Sequence, residues 1–518
     1  MASPADAPID YAAAMVTAPT SAADWIVVAP VLAPILLGAV LLMVRHKPVL
    51  HPWIALPGLA IVLASTVALV ARVAAEGPLV MTMGGWLPPF GISFAADMLG
   101  SVLAMTAAFV ALVCAAVAVR DIDTTGRRYG FYPFVMLLMA GVEGSFLTGD
   151  IFNLYVWFEV FLISSFGLIV LGSERSQLDG ATKYAVLNLV ATTLFLIGTG
   201  YLYGIFGTLN MADIARKAPG LRETAPLMTL ATIYLLAFGM KAAAFPVNFW
   251  LPASYHTPRI VVAALFGGLL TKVGIYALLR TQVMFFPVER AVLSDVIAWV
   301  AVATMMLGVL GALAQSDIRR VLGFLVISGI GVMLAGLALG TPAGISGAVV
   351  YAVHSIIVMT ALYLLAGEIA ERTGGYSLHD VAGLYRVSPA LAAAALLLVL
   401  SVAGLPPGSG LWPKVMLVRA SLEEGAGMLA FAILASGFLI TIAMGRMFAL
   451  VFWREGENLA VTREARREGL LLLAVLVAPA IAIGLWPQPL IALGDAAAAG
   501  LLDPSSYLGA VFPQGAQP

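Results

Sequence analysis

Lys241, Lys272 and Lys414 each lie inside an apolar stretch long enough to cross a bilayer, and so does Glu159, in YVWFEVFLISSFGLIVLG (155–172). A charged side chain at the centre of a lipid-embedded helix costs about 2.5–3.5 kcal/mol even on the mildest insertion scale. A chain that keeps four such groups is expected to turn them inward, pair them and use them. The chemistry to which they point is movement of protons or ions.

The elements that must position these groups follow from composition. The 518 residues are 61% hydrophobic and only 11% charged, with a mean hydropathy of +1.01, as in a polytopic membrane protein. A balance of 27 basic against 28 acidic residues gives no footprint for nucleic acid. One cysteine, Cys114 in AALVCAAVAV, excludes an intrachain disulfide and any Cys-cluster metal or iron–sulfur site, and reads as a small buried hydrophobe. Five histidines without close metal-ligand spacing suggest neither haem nor zinc, so no cofactor is expected. No G-x-x-x-x-G-K-[ST] motif occurs, so ATP is not the direct energy source.

Spans of roughly 20 apolar residues fall near 24–44, 53–74, 95–118, 131–149, 151–172, 184–206, 227–249, 260–280, 291–314, 317–340, 344–367, 388–420, 427–452 and 469–488. That is an all-α polytopic membrane protein of about fourteen helices, with 388–420 too long and too proline-rich to be unbroken. Residues 1–23, which carry Asp6 and Asp10 and lack a basic start, read as a non-cytoplasmic tail. The stretch 489–503 reads as a short interfacial or capping helix. Connections after odd-numbered helices carry sixteen Lys/Arg and those after even-numbered helices seven, Arg72 and Arg280 among the latter. The positive-inside rule then places the odd connections in the cytoplasm and both termini outside.

Two places break the helical pattern at membrane depth. In FGMKAAAFPVNFWLPASYHTP (238–258), Pro246 and Pro252 follow Lys241; in SVAGLPPGSGLWPKVMLV (401–418), Pro406, Pro407, Gly408, Gly410 and Pro413 precede Lys414. Proline removes a backbone donor, and the freed carbonyls must meet protein or water, so such breaks mark hydrated cavities. The two lysines are 173 residues apart, in the seventh and twelfth helices. Matched interruptions are the sign of two inverted five-helix repeats, although identity between the halves is too weak to establish the repeat alone. The expected units are helices 1–3 over 24–130, a first repeat of helices 4–8 over 131–282, a second repeat of helices 9–13 over 291–455, and a last helix and tail over 456–518.

The strings GDIFNLYVWFEVFLISSFGLIVLG (149–172), GMKAAAFPVNFWLPASYHTP (239–258), FGGLLTKVGIYALLR (266–280), AQSDIRRVLGFLVISGIG (314–331), YAVHSIIVMTALYLLAGEI (351–369) and GLPPGSGLWPKVMLV (404–418) occur in the order found in antiporter-like proton-translocating subunits. Over about 95–455 the chain resembles that superfamily, shared by respiratory complex I and Mrp-type sodium/proton antiporters. Lys at 414, the GDIFNLYVWFE wording and the SYHTP–GGLLTKVGIYALLR segment are most similar to the D-subunit family of the Mrp type. The resemblance implies a proton-translocating subunit of a multi-subunit monovalent cation/proton antiporter in the bacterial cytoplasmic membrane. It is implied to be no enzyme, to work with subunits A, B, C, E, F and G on protons and sodium, and not to exchange them alone.

Roles follow by the same resemblance. Glu159 is the acid that pairs with Lys241, and separating such a pair changes the lysine's proton affinity. Lys272 is the relay between the halves, His354 a bridging histidine, Lys414 the terminal site, and His256 serves the entry side. Each has a plainer reading: snorkelling or helix locking for Lys272, a structural ion pair for Glu159 and Lys241, packing for His354. Glu143 departs from the superfamily pattern and is either an added ion or proton site or a group facing water near Asp150. Arg446 is either a distal counter-charge or a structural residue. Other readings of the chain are a pumping subunit of complex I or a membrane-bound hydrogenase, a carrier of an organic solute, and a scaffold subunit.

Overall fold

The computed structural model describes residues 15–16, 20–455 and 467–512. Most of the expected 1–23 tail, Arg463, Arg466 and both ends of the 456–518 unit lie outside the described residues. Helices α1 (Ala29–Met43), α2 (Leu50–Glu76) and α3 (Met98–Asp121) come first. Between α2 and α3 stands an antiparallel hairpin, β1 (Leu79–Met83) and β2 (Ile92–Ala96), with Leu79 opposite Ala96 and Met83 opposite Ile92. Sequence patterning does not reveal it: two five-residue strands joined through Gly84 and Gly85 are too short to show a pattern beside spans of this hydropathy.

One series follows: α4 (Phe131–Leu147), α5 (Ile151–Ile169), α6 (Arg175–Phe206), α7 (Leu227–Ala242) and α8 (Ile260–Phe285). A second is α9 (Ser294–Ala314), α10 (Ile318–Leu339), α11 (Pro342–Thr373), the two halves of one broken helix, α12 (Pro389–Ala403) and α13 (Leu411–Glu423), and α14 (Gly427–Trp453). Then come α15 (Arg467–Leu485), α16 (Gln488–Leu502) and α17 (Ser505–Val511). Every expected apolar stretch overlaps one of these helices. Among the described residues, ten are long and apolar enough to cross a membrane and five more are shorter apolar helices.

Both series follow one plan, visible in their backbone bonds. Asp150 caps α5 and bridges Asn210; Asp317 caps α10 and bridges Ser377. Ile151 N–H donates to Leu209 O (2.9 Å) and Met211 N–H to Gly149 O (2.8 Å), while Ile318 N–H donates to Tyr376 O (2.9 Å) and Leu378 N–H to Ser316 O (2.7 Å). After α7 and after α12 the chain turns left-handed, at Ala243 (φ 62°) and Gly404 (φ 84°). The next amide reaches back five residues each time, Ala244 to Gly239 O (2.8 Å) and Leu405 to Leu400 O (2.9 Å). Each series closes on a π turn, Arg280–Phe285 and Ala449–Trp453. The fold is therefore all-α, with two five-helix repeats, each carrying a broken helix. The breaks equate Ala243 with Gly404, so Lys241 precedes its break and Lys414 follows its own; the lysine spacing does not measure the repeat.

Two helices, α8 and α11, form the centre, and the most apolar window of each is completely buried. Helices apolar all round belong in such positions. Helix α10 is nearly as enclosed, whereas outer helices leave one side bare, such as Phe431, Leu434 and Phe438 on α14, suited to lipid or a neighbouring subunit. Helix α16 packs on α11 and α3. Arg280 requires a correction: expected in an external connection, it is 1% exposed in the π turn of α8 and paired with Asp97. That turn prolongs the helix to Phe285, past the boundary drawn from hydropathy.

Candidate functional site

Lys241 sits two residues before the left-handed turn that ends α7, where the helix can no longer satisfy its own carbonyls. The side chain is 5% exposed, and its Nζ has no hydrogen-bond partner among the described residues. It lies 5.7 Å from the centroid of the Phe158 ring on α5. Glu159, the next residue, is partly exposed, and none of the ion pairs among the described residues joins it to Lys241. The two groups expected to pair stand on adjacent helices but apart in this conformation. The Trp250 indole donates to Met240 O (3.2 Å) and ties the far side of the break back to α7.

Lys272 follows directly on a second irregularity, the π turn Phe266–Leu270 within α8. It is fully buried, and its Nζ donates to Gly267 O at 2.7 Å. A π turn displaces the ladder of amide bonds and leaves a carbonyl free for such a bond, and these turns recur at functional sites. Two residues on, Gly274 lets α8 touch the end of α7: a Cβ there would stand 2.8 Å from Ala242 N, next to Lys241. The π turn itself packs against α11.

On α11, His354 is 2% exposed, with Nδ1 2.7 Å from Ser409 Oγ in the second break. A Cβ at Gly410 would lie 2.8 Å from His354 Cε1, so glycine is needed for the ring to reach that loop. From the far side of the break, Lys414 turns back to donate from Nζ to Val402 O (3.1 Å) and Ala403 O (2.7 Å). It thereby satisfies the last carbonyls of α12 with a cation, at the negative end of the helix dipole. Four of the five residues named from the sequence thus meet at three helix irregularities: Lys241 at the first break, Lys272 at the π turn, and His354 with Lys414 at the second break; Glu159 lies within the regular helix α5.

Ser409 was not singled out from the sequence. It is 1% exposed and holds the histidine, and the only signal for it was its place inside GLPPGSGLWPK. His256 lines a cavity of about 670 Å³ with Asp179, Lys183, Asn248 and Arg320. Arg320 can only donate, so its Nη2 contact at 3.1 Å makes His256 Nε2 the acceptor and leaves Nδ1–H to donate to Pro252 O (2.8 Å). Burial first, and the Arg320 guanidinium second, hold this imidazole below its ordinary range.

The remaining candidates make no hydrogen bond or ion pair with Glu159, Lys241, Lys272, His354 or Lys414 among the described residues. Asp150 accepts the Asn153 N–H at 2.7 Å as the cap of α5. Glu143 is completely buried in α4, and neither carboxylate oxygen has a partner among the described residues. Arg446 is exposed and donates to Leu313 O (2.7 Å), near the end of α9. Among the described residues no group of three or more His, Cys, Asp or Glu has metal-binding geometry.

Comparison with known proteins gives the same frame. The family described as NADH:quinone oxidoreductase/Mrp antiporter, transmembrane, matches residues 148–440. The D subunit of the Na(+)/H(+) antiporter of Alkalihalophilus pseudofirmus is 40% identical over 492 residues, 94% of this chain and 99% of that protein. Its Bacillus subtilis namesake is 37% identical over 490 residues, with 94% and 99% covered. Among solved structures, a chain of the Mrp complex from a Dietzia species superposes with a TM-score of 0.88 at 29% identity, over 95% of this chain and 100% of that one. A chain of Thermus thermophilus respiratory complex I gives 0.79 at 24% identity, over 92% and 99%, and speaks for the fold alone. With its two repeats, its interrupted helices and these relatives, the chain belongs to the NADH:quinone oxidoreductase/Mrp antiporter transmembrane family.

Proposed function

We propose that this chain is the D-type, proton-translocating subunit of a multi-subunit sodium/proton antiporter. The observation that carries the reading is the placement of three lysines, each 7% exposed or less, at three helix irregularities inside an apolar bundle. Carbonyl bonds alone would anchor Lys272 and Lys414, but Lys241 has no such bond among the described residues, and a proton carrier needs free carbonyls and mobile water within reach. The names of its D-type relatives supply sodium and protons as the ions.

In this reading protons enter by the His256 cavity and pass along Glu159, Lys241, Lys272, His354 and Lys414. The separated Glu159 and Lys241 represent the open state of a charge switch; closing it satisfies the Lys241 ammonium, and opening it passes the proton preference on toward Lys272. Lys414 exchanges its two carbonyl bonds for water when it releases its proton. One charge crossing 100 mV is worth about 2.3 kcal/mol, enough to drive sodium out against a modest gradient. The functional units are the repeats over 131–282 and 291–455.

The partners are the other antiporter subunits, A in particular, with B, C, E, F and G. The place of work is the bacterial cytoplasmic membrane with both termini outside, and the chain acts as a transporter, not an enzyme. The test is the complete complex in everted vesicles of an antiporter-deficient strain, read as sodium-dependent collapse of an imposed pH gradient. Glu159→Ala should abolish the collapse in an assembled complex. Collapse at the native rate in that variant would leave a scaffold role in its place.

A further inference from the structure

Helix α8 begins four residues after His256 and runs past Lys272 to Arg280, which bonds Asp97, the residue that follows β2 of the hairpin. The two ends are built differently. Toward the hairpin, Lys272 is followed at four-residue steps by Tyr276, Arg280 and Met284, a single stripe on one helix. Lys272 to Arg280 is roughly 12 Å along the axis. Tyr276 is completely buried and Arg280 1% exposed.

Arg280 is bound on several sides. Its Nη1 donates to Asp97 Oδ2 at 2.7 Å, and its Nη2 to the Tyr276 hydroxyl at 3.3 Å. The Tyr276 hydroxyl in turn donates to Phe146 O at 3.1 Å. Asp97 is anchored as the cap of α3, its Oδ1 accepting the Gly100 N–H at 2.9 Å. The guanidinium lies 5.3 Å from the centroid of the Tyr507 ring, which α17 lays over it from the C-terminal end of the chain. Arginine stays charged and gives up no proton, and the Tyr276 hydroxyl that accepts from it donates to a backbone carbonyl, which takes no proton on.

We propose that Arg280, with Asp97, Tyr276 and Tyr507, is an insulating plug that closes the hairpin side of the membrane to Lys272. A permanent cation set in a pore wall turns back protons and metal cations, and here it stands on the stripe that a proton leaving Lys272 along α8 would follow. Arg280 is thus a positioning and specificity residue that keeps coupling tight: it forces the charge at Lys272 onward to His354 rather than straight out. The inference rests on the proposed proton line through Lys272.

Its test is leak, not exchange. Complete complexes carrying Arg280→Gln, in vesicles free of sodium, should lose an imposed pH gradient about tenfold or more faster than native complexes, the scale of one lost bond to a charged group. Combining the change with Lys272→Met should restore the native decay. A native decay in assembled Arg280→Gln complexes overturns the plug, and so does a fast decay that survives in the double variant. If Arg280→Gln does not assemble, Tyr276→Phe, which keeps the ring and frees both of its partners, should leak measurably; a native decay there overturns the proposal as well. Sodium-driven exchange by Lys272→Met alone, measured in the same vesicles, reports separately on the proton line.

Discussion

Ser409→Ala deletes one hydroxyl and leaves the backbone of the second break untouched. Ser409 is 1% and His354 2% exposed, so no solvent stands ready to replace the 2.7 Å contact between Oγ and Nδ1. A buried polar atom stripped of its partner costs about 1–3 kcal/mol, and each 1.4 kcal/mol is roughly tenfold in an equilibrium. The ring cannot simply move to a new partner, because Gly410 already leaves less than a carbon's width beside Cε1. The hydroxyl also accepts from or donates to Nδ1, and so serves both tautomers through which a bridging histidine must pass. Sodium-dependent collapse of the pH gradient by the complete complex should therefore slow by about tenfold, with assembly retained, and Ser409→Thr should recover most of the rate. An assembled Ser409→Ala complex working at the native rate would refute the view that this contact holds His354 in the line.

Three further outcomes are expected. Gly274→Val places a Cβ 2.8 Å from Ala242 N and pushes α8 off α7; overpacking of this kind costs about 1–3 kcal/mol, so the purified complex should unfold at a lower temperature, and an unchanged midpoint would contradict the close approach. His256 is held below the ordinary imidazole range by burial and then by Arg320. The unfolded chain therefore takes up the proton first: this contribution to stability is complete above about pH 6.5 and is lost as pH falls through the lower folded value. Unfolding midpoints measured from pH 8 downward should drop less in His256→Gln than in the native complex, and an equal drop would show that His256 does not carry the effect. Arg446→Ala removes an exposed bond to Leu313 O, should change stability by less than about 1 kcal/mol and should leave exchange intact; loss of exchange would place Arg446 in the transport line.

What could be read from the sequence, and what could not, divides along a physical boundary. Spans are legible because lipid demands unbroken apolar length, and the two breaks because clustered proline and glycine disfavour an unbroken helix through 238–258 or 401–418, although single prolines such as Pro34 and Pro57 are carried inside helices. The buried lysines are legible because a charge inside such a span is costly wherever it faces. Contacts across the chain are not. The Asp97–Arg280 pair joins residues 183 apart, and Arg280 falls at the edge of an apolar window, where hydropathy reads any arginine as an anchor. The π turns of α8 and α14 have no signature in residue type, because helices apolar on all sides lack the periodicity that would show a register shift. Resemblance implies Glu159 as the partner of Lys241, but whether two such groups touch belongs to the conformation, and here no ion pair among the described residues joins them.

The central claim is that the buried lysines at the helix irregularities form one path for protons. The most direct measurement is sodium-dependent collapse of the pH gradient in everted vesicles bearing the complete complex with Lys241→Ala or Lys414→Ala. Each variant should assemble and show no collapse. Native activity in either one would contradict the account.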